Sequence, residues 1–68
     1  MLDLPKLRRL VREKEDAGVT REELARRATM TPQHFWNHVS GEVGSDVRLS
    51  TLYALARAVE IEPKELLK

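Results

Sequence analysis

Two helix starts and two helix stops fall between Thr20 and Gly41, and this punctuation constrains the fold more than any other feature of the chain. Thr20 is a good N-cap, because its hydroxyl oxygen accepts from a backbone N–H of the first turn. Glu23, three residues on, completes the pattern of a capping box. The helix opened there runs over about Arg21–Ala28. Leu24, Ala25 and Ala28 form its narrow apolar side, and the small alanines let another helix come close. Thr31 is a second N-cap, and Pro32 takes the first helical position, where a missing N–H costs nothing. The helix that follows stops at Gly41. Only Thr29, Met30 and Thr31 separate the two helices.

The same signals place the remaining elements. A first helix spans about Leu4–Ala17, with Pro5 in its first turn and Gly18 at its stop. Leu4, Leu7, Leu10 and Val11 share one stripe, and Arg8, Arg9 and Arg12 lie off it. Glu42–Arg48, with Gly44, Ser45 and Asp46, has the composition of a loop. A fourth helix covers about Leu49–Val59, with Leu52, Leu55, Ala56 and Val59 inward. Glu62 and Pro63 open a last short helix ending in Leu66 and Leu67. No segment alternates with a period of two, so no sheet is expected. The expected fold is all-α: a compact bundle of about five short helices, one domain over residues 1–68, with a helix-turn-helix at about 20–41.

Composition narrows the function. With 68 residues the chain holds one domain and a small core. It has no cysteine, which excludes disulfides and fits a reducing, cytoplasmic setting. Its apolar runs are too short to span a membrane, and no signal peptide is expected. The formal net charge is only +1, so the distribution of charge matters more than the sum. Lys6, Arg8, Arg9, Arg12 and Lys14 face only Asp3 and Glu13 in the first segment. Arg26 and Arg27 are unopposed over residues 24–41. The acids gather at Glu15, Asp16, Glu22, Glu23, Glu60, Glu62 and Glu65. A basic face on a near-neutral molecule fits this pattern, as do ordinary solvated helix faces.

The third helix carries the most informative surface. With Gln33 at 0°, Asn37 falls near about 40°, Ser40 near about 340° and Trp36 near about 300°, whereas Phe35, His38 and Val39 lie between about 140° and 240°. The outward face is therefore amides, a hydroxyl and an indole, without charge. Gln and Asn are the side chains that pair with the N6/N7 edge of adenine through two hydrogen bonds, and Ser serves several bases. His34 and His38 have a spacing that suits a metal, but the stretch lacks the glutamate of a zinc hydrolase and has no third ligand nearby, so no metal is expected. Nothing resembles a nucleophile with its base or a phosphate-binding glycine loop. No enzyme activity, cofactor or small-molecule substrate is expected.

The chain resembles the phage-repressor, or Cro-type, helix-turn-helix family. The resemblance rests on Leu10–Gly18, on Val19–Gly41 (VTREELARRATMTPQHFWNHVSG), on Leu49–Ile61 (LSTLYALARAVEI) and on Glu62–Leu67 (EPKELL). Leu24 and Ala25 match the family's paired Leu-Ala, Phe35 its buried recognition-helix apolar residue, and Gly41 its closing glycine. The resemblance implies base contacts from Pro32, Gln33 and Asn37, which Trp36 on the same face joins. It implies phosphate contacts from Thr20, Arg21, Thr31 and Ser40, and the basic first helix adds Lys14. It also implies a homodimer on a palindromic operator of double-stranded DNA in a bacterial host, associated with the nucleoid. The sequence departs from the family pattern in several places. Thr29 stands where the family usually has glycine, and a β-branched residue at positive φ is costly, which points to a rearranged turn. His38 replaces an aliphatic, Pro32 has no donor at the first base-contact position, and the loop before the fourth helix is long.

The function these readings imply is sequence-specific DNA binding by a transcriptional regulator, repressor-like, acting by operator occupancy. Two rivals keep the fold: a helical protein-interaction module, favoured by the low net charge, Pro32 and Trp36, and a DNA-binding antitoxin subunit docking a partner through its apolar C-terminus.

Overall fold

The computed structural model describes residues 1–44 and 46–68; Ser45, expected in the loop before the fourth helix, lies outside them. The helices are α1 (Leu4–Asp16), α2 (Arg21–Arg27), α3 (Pro32–Ser40) and α4 (Leu49–Ala58). The expected boundaries hold to within a residue. The last segment, Pro63–Leu66, is a single 3-10 turn and not a fifth α-helix. Its four residues are too few for a run of α-type hydrogen bonds, and Glu65 Oε2 accepts from the Glu62 N–H at 3.2 Å to close it.

Side chains open three of the helices. Asp3 accepts from Lys6 N–H, Thr20 Oγ1 from Glu23 N–H, and Thr31 Oγ1 from His34 N–H, at 3.3, 3.1 and 3.2 Å. The capping box expected at Thr20 is only half made. The Glu23 carboxylate turns instead to Arg26 and Arg27, since a charged partner holds it more strongly than a backbone N–H.

All four helices close in the same way. A residue at positive φ follows each: Gly18 (99°), Thr29 (57°), Gly41 (86°) and Glu60 (60°). The next residue then donates back five positions: Val19 to Lys14 O, Met30 to Ala25 O, Glu42 to Asn37 O and Ile61 to Ala56 O, at 2.9, 2.9, 3.1 and 3.1 Å. These are Schellman closures, and Val19, Met30 and Ile61 pack on the core behind them. The rearranged turn expected at Thr29 does not occur. Thr29 accepts the left-handed conformation, donating to Arg26 O at 3.0 Å while Met30 seals the core. Those gains outweigh a conformational cost of about 1–2 kcal/mol.

Phe35 sits fully buried at the centre, with Leu7, Val11, Leu24, Leu55 and Leu66. α2 packs against both α3 and α4, α1 lies on α3, and the 3-10 turn closes α4 and α1. There is no strand among the described residues, but the chain ends pair as an isolated antiparallel bridge between Leu2 and Leu67. Asp3 N–H donates to Leu66 O at 2.6 Å and Lys68 N–H to Met1 O at 2.9 Å. The bridge buries Leu2 and leaves Leu67 half out.

α1 meets the end of α3 at Gly41. A Cβ there would stand 2.9 Å from Leu4 Cδ2 and 3.1 Å from Arg8 Nη2, so both the close approach and the left-handed φ call for glycine.

Candidate nucleic-acid interface

The local sequence sets the orientation of α3. Phe35, His38 and Val39 are buried, which turns the opposite edge outward. Gln33 is exposed there, and its Nε2 donates to Asn37 Oδ1 at 2.8 Å. The pair spans one helical turn. It leaves the Gln33 carbonyl, one Gln33 N–H and the Asn37 amide hydrogens directed away from the bond. Pro32, also exposed, precedes them.

Trp36 does not share that exposed edge. Expected to face outward, it is half-buried and packs against the core. The Arg21 guanidinium lies over its ring, 3.9 Å from the centroid. Arg21 Nε also donates to Glu15 Oε2 at 3.1 Å. These residues line a cleft of about 320 Å³ between α1 and α3, together with Arg8, Arg12 and Ser40. On the other flank of α3, a cleft of about 500 Å³ runs along α4, lined by Thr29, Thr31, His34, Ser50 and Thr51. Four of those five carry hydroxyls. Ser50 and Thr51 were not singled out from the sequence, because only the folded packing brings the start of α4 beside α3.

The remaining expected contact residues divide by how free their polar groups are. Thr20 and Thr31 are exposed, and their oxygens accept from helix N–H groups, which leaves each O–H free to donate outward. Ser40 Oγ donates to Asn37 O at 3.2 Å within its own helix. Lys14 is engaged elsewhere, in an ion pair of 2.8 Å with Glu60. Glu60 also meets Arg27 at 3.2 Å, and Arg57 Nε donates to Arg27 O at 3.0 Å. This cluster ties the C-terminal ends of α1, α2 and α4 and places cations near the negative poles of the helices. The hydrogen bond from Lys14, with the Lys14 and Arg27 charges, holds the Glu60 carboxyl below its ordinary value.

Arg8 has a role that its position in α1 does not announce. Its Nε donates to Val39 O at 2.8 Å and its Nη2 to Ser40 O at 2.7 Å. It thus satisfies open carbonyls at the end of α3 and neutralises its negative pole.

Among the described residues His38 is the one buried polar side chain of the core, 7% exposed. Its Nδ1 has no hydrogen-bond partner among the described residues, and its ring meets His34 edge-on, with centroids 5.0 Å apart. Burial, and secondarily the charge on His34, lower its pKa below 6.5. No group of three metal-ligating side chains forms among the described residues.

A short helix, a four-residue turn and a second helix presenting a polar edge define a helix-turn-helix domain. The chain belongs to the Cro/C1-type helix-turn-helix DNA-binding domain family, whose sequence model matches residues 6–68. It is, on that family membership, a DNA-binding domain. No curated protein and no solved structure matches the chain. Among the described residues no helix is long and apolar enough to cross a membrane.

Proposed function

We propose that the chain reads a specific duplex sequence with α3 in the major groove and regulates transcription by occupying an operator. The observation that carries this reading is the exposed Gln33–Asn37 amide pair, bonded at 2.8 Å, on a helix whose opposite face is buried. A planned array of amide donors and acceptors matches a base edge, whereas an ordinary solvated face carries Lys and Glu. Gln33 and Asn37 supply sequence choice, and Pro32 contributes apolar contact only, since it has no donor.

Phosphate contacts position the helix. Arg21 and Ser40 on one flank, and Thr31 on the other, bracket the reading edge. Thr20, beside Arg21, supports the first flank. Lys14 contributes only if it leaves Glu60, which makes it the weakest member of the set. The whole span of 1–68 acts as a single domain in this reading, working repressor-like in a bacterial cell.

Pairing of two copies on a palindrome is supported by an apolar strip. Leu49 is 60% exposed, Tyr53 52% and Leu67 49%, and Met1 lies beside them. Such a strip on so small a domain marks a protein contact. The same strip favours the second reading, a subunit that docks a different protein, such as a toxin.

Selection of random duplex DNA by the purified protein tests the proposal. Enrichment of a short palindrome supports specific binding as a dimer. Absence of any enriched sequence at low salt rejects it and leaves the apolar strip as the site to pursue.

A further inference from the structure

We infer that Trp36 is a positioning residue for Arg21, that the two form a preset clamp for a backbone phosphate, and that Glu15 is the internal anion which the phosphate displaces. The inference rests on the DNA-binding reading above and assigns Trp36 a role other than base contact.

Arg21 occupies the first position of α2, where the helix dipole disfavours a cation. Two contacts nevertheless fix it. The indole of Trp36 lies 3.9 Å beneath the guanidinium carbon, and Glu15 Oε2 accepts from Nε at 3.1 Å. Arginine stacks on an aromatic face better than lysine does, because its charge is spread over a plane. With Nε taken by Glu15, the four hydrogens on Nη1 and Nη2 have no partner among the described residues. The side chain keeps 53% of its surface open. A guanidinium held by one face and presenting its outer edge has already lost the rotamer freedom that an anion would otherwise have to restrict.

The charge balance of the cleft points the same way. Arg8, Arg12 and Arg21 line it with Glu15 as the one acid. Arg8 is committed to the carbonyls that end α3, and Arg12 is exposed. The cleft therefore keeps an excess of positive charge around a single weakly held carboxylate. An exposed ion pair of this kind contributes little, so a phosphate oxygen with its local field can replace Glu15 without disturbing the fold. In the absence of DNA, Glu15 keeps Arg21 seated over the indole. On DNA, Arg21 turns its free edge to phosphate and Trp36 remains beneath it.

The test uses the whole chain and its sole tryptophan. In free protein, Arg21→Ala shifts the Trp36 emission, because the cation leaves the ring. On DNA, Arg21→Ala reduces the slope of log affinity against log salt by about 0.9. Trp36→Leu, which keeps apolar bulk but loses the ring quadrupole, reduces it by the same amount, and the double variant loses no more than either single one. Trp36→Phe restores most of the slope. Glu15→Gln tightens binding by roughly two- to fivefold on every sequence alike. A Trp36→Leu variant that keeps the full salt slope but relaxes preference at one base position overturns the clamp and makes Trp36 a base reader. Unchanged Trp36 emission in Arg21→Ala overturns the stacking. Wild-type protein with no salt-dependent affinity for any duplex overturns the DNA reading itself, a result distinct from both.

Discussion

Arg8 donates through Nη2 to the carbonyl oxygen of Ser40, thirty-two residues further along the chain, at 2.7 Å. With the second bond to Val39 O, this one side chain ties α1 to the end of the helix that carries Gln33 and Asn37. Arg8→Met keeps the aliphatic stem and removes both bonds. It should destabilise the domain by about 1–2 kcal/mol, since bonds from a charged donor are worth more than neutral ones but this pair is partly in water. Gly41→Ala should do at least as much, through the left-handed φ and the 2.9 Å approach to Leu4. Urea denaturation measures both, and an unchanged midpoint in Gly41→Ala would show that the contact relaxes freely.

Thr29 holds a conformation that favours glycine. Thr29→Gly should therefore stabilise the domain by about 0.5–1 kcal/mol, the relief of left-handed strain less the greater freedom of glycine when unfolded. In a chain of this size that is a rise in Tm of about 3–6 °C by calorimetry. A fall in Tm would mean that the Thr29 side chain makes a stabilising contact.

His38 makes stability depend on pH. A lowered pKa means that the folded state binds the proton more weakly than the unfolded chain does. Stability is therefore full above 6.5 and declines as pH falls below that value. The groups around the ring are His34 and, across the cleft beneath it, Asp46 and Arg48. His38→Leu should remove this acid-side decline and raise stability at pH 5. Denaturation midpoints from pH 5 to 8 decide it, and a slope that survives the substitution would assign the decline to other groups.

Gln33 and Asn37 should act as a unit on DNA. Each alanine variant is expected to relax one base position and to weaken the preferred sequence by about 1–3 kcal/mol. The double variant should lose less than the sum, because each single change already breaks the 2.8 Å bond between them. Competition binding with single-base variants of the selected duplex reads this out. Thr31→Val, by contrast, should weaken all sequences alike.

The helices were legible because their signals are local. Thr20, Thr31, Pro32 and Gly41 each act within a few residues, and the fold keeps all of them in the expected roles. The buried side of α3 followed from its 100° periodicity for the same reason. What escaped depends on contacts distant in sequence. Nothing near Arg8 indicates that it ends α3, and nothing near Leu2 indicates that it is buried by pairing with Leu67. The helical angle of Trp36 points outward, but its size lets it reach the α1 cleft and lie under Arg21. At Thr29 a local rule foresaw the cost of a positive φ, and the chain bears it while Met30 packs on the core. For the candidate site, the outward placement of Gln33 and Asn37 on α3 was visible in the sequence, but the two flanking clefts were not, since each is built from helices far apart in sequence.

The bridge between Leu2 and Leu67 brings the two chain ends together. Whatever precedes Met1 or follows Lys68 departs from one spot on a body 28 Å long. Two such domains joined in tandem by a short tether would pivot about a shared corner and could not be strung out end to end. The angle between their reading helices would then be set by the tether and the DNA rather than by the length of the domain.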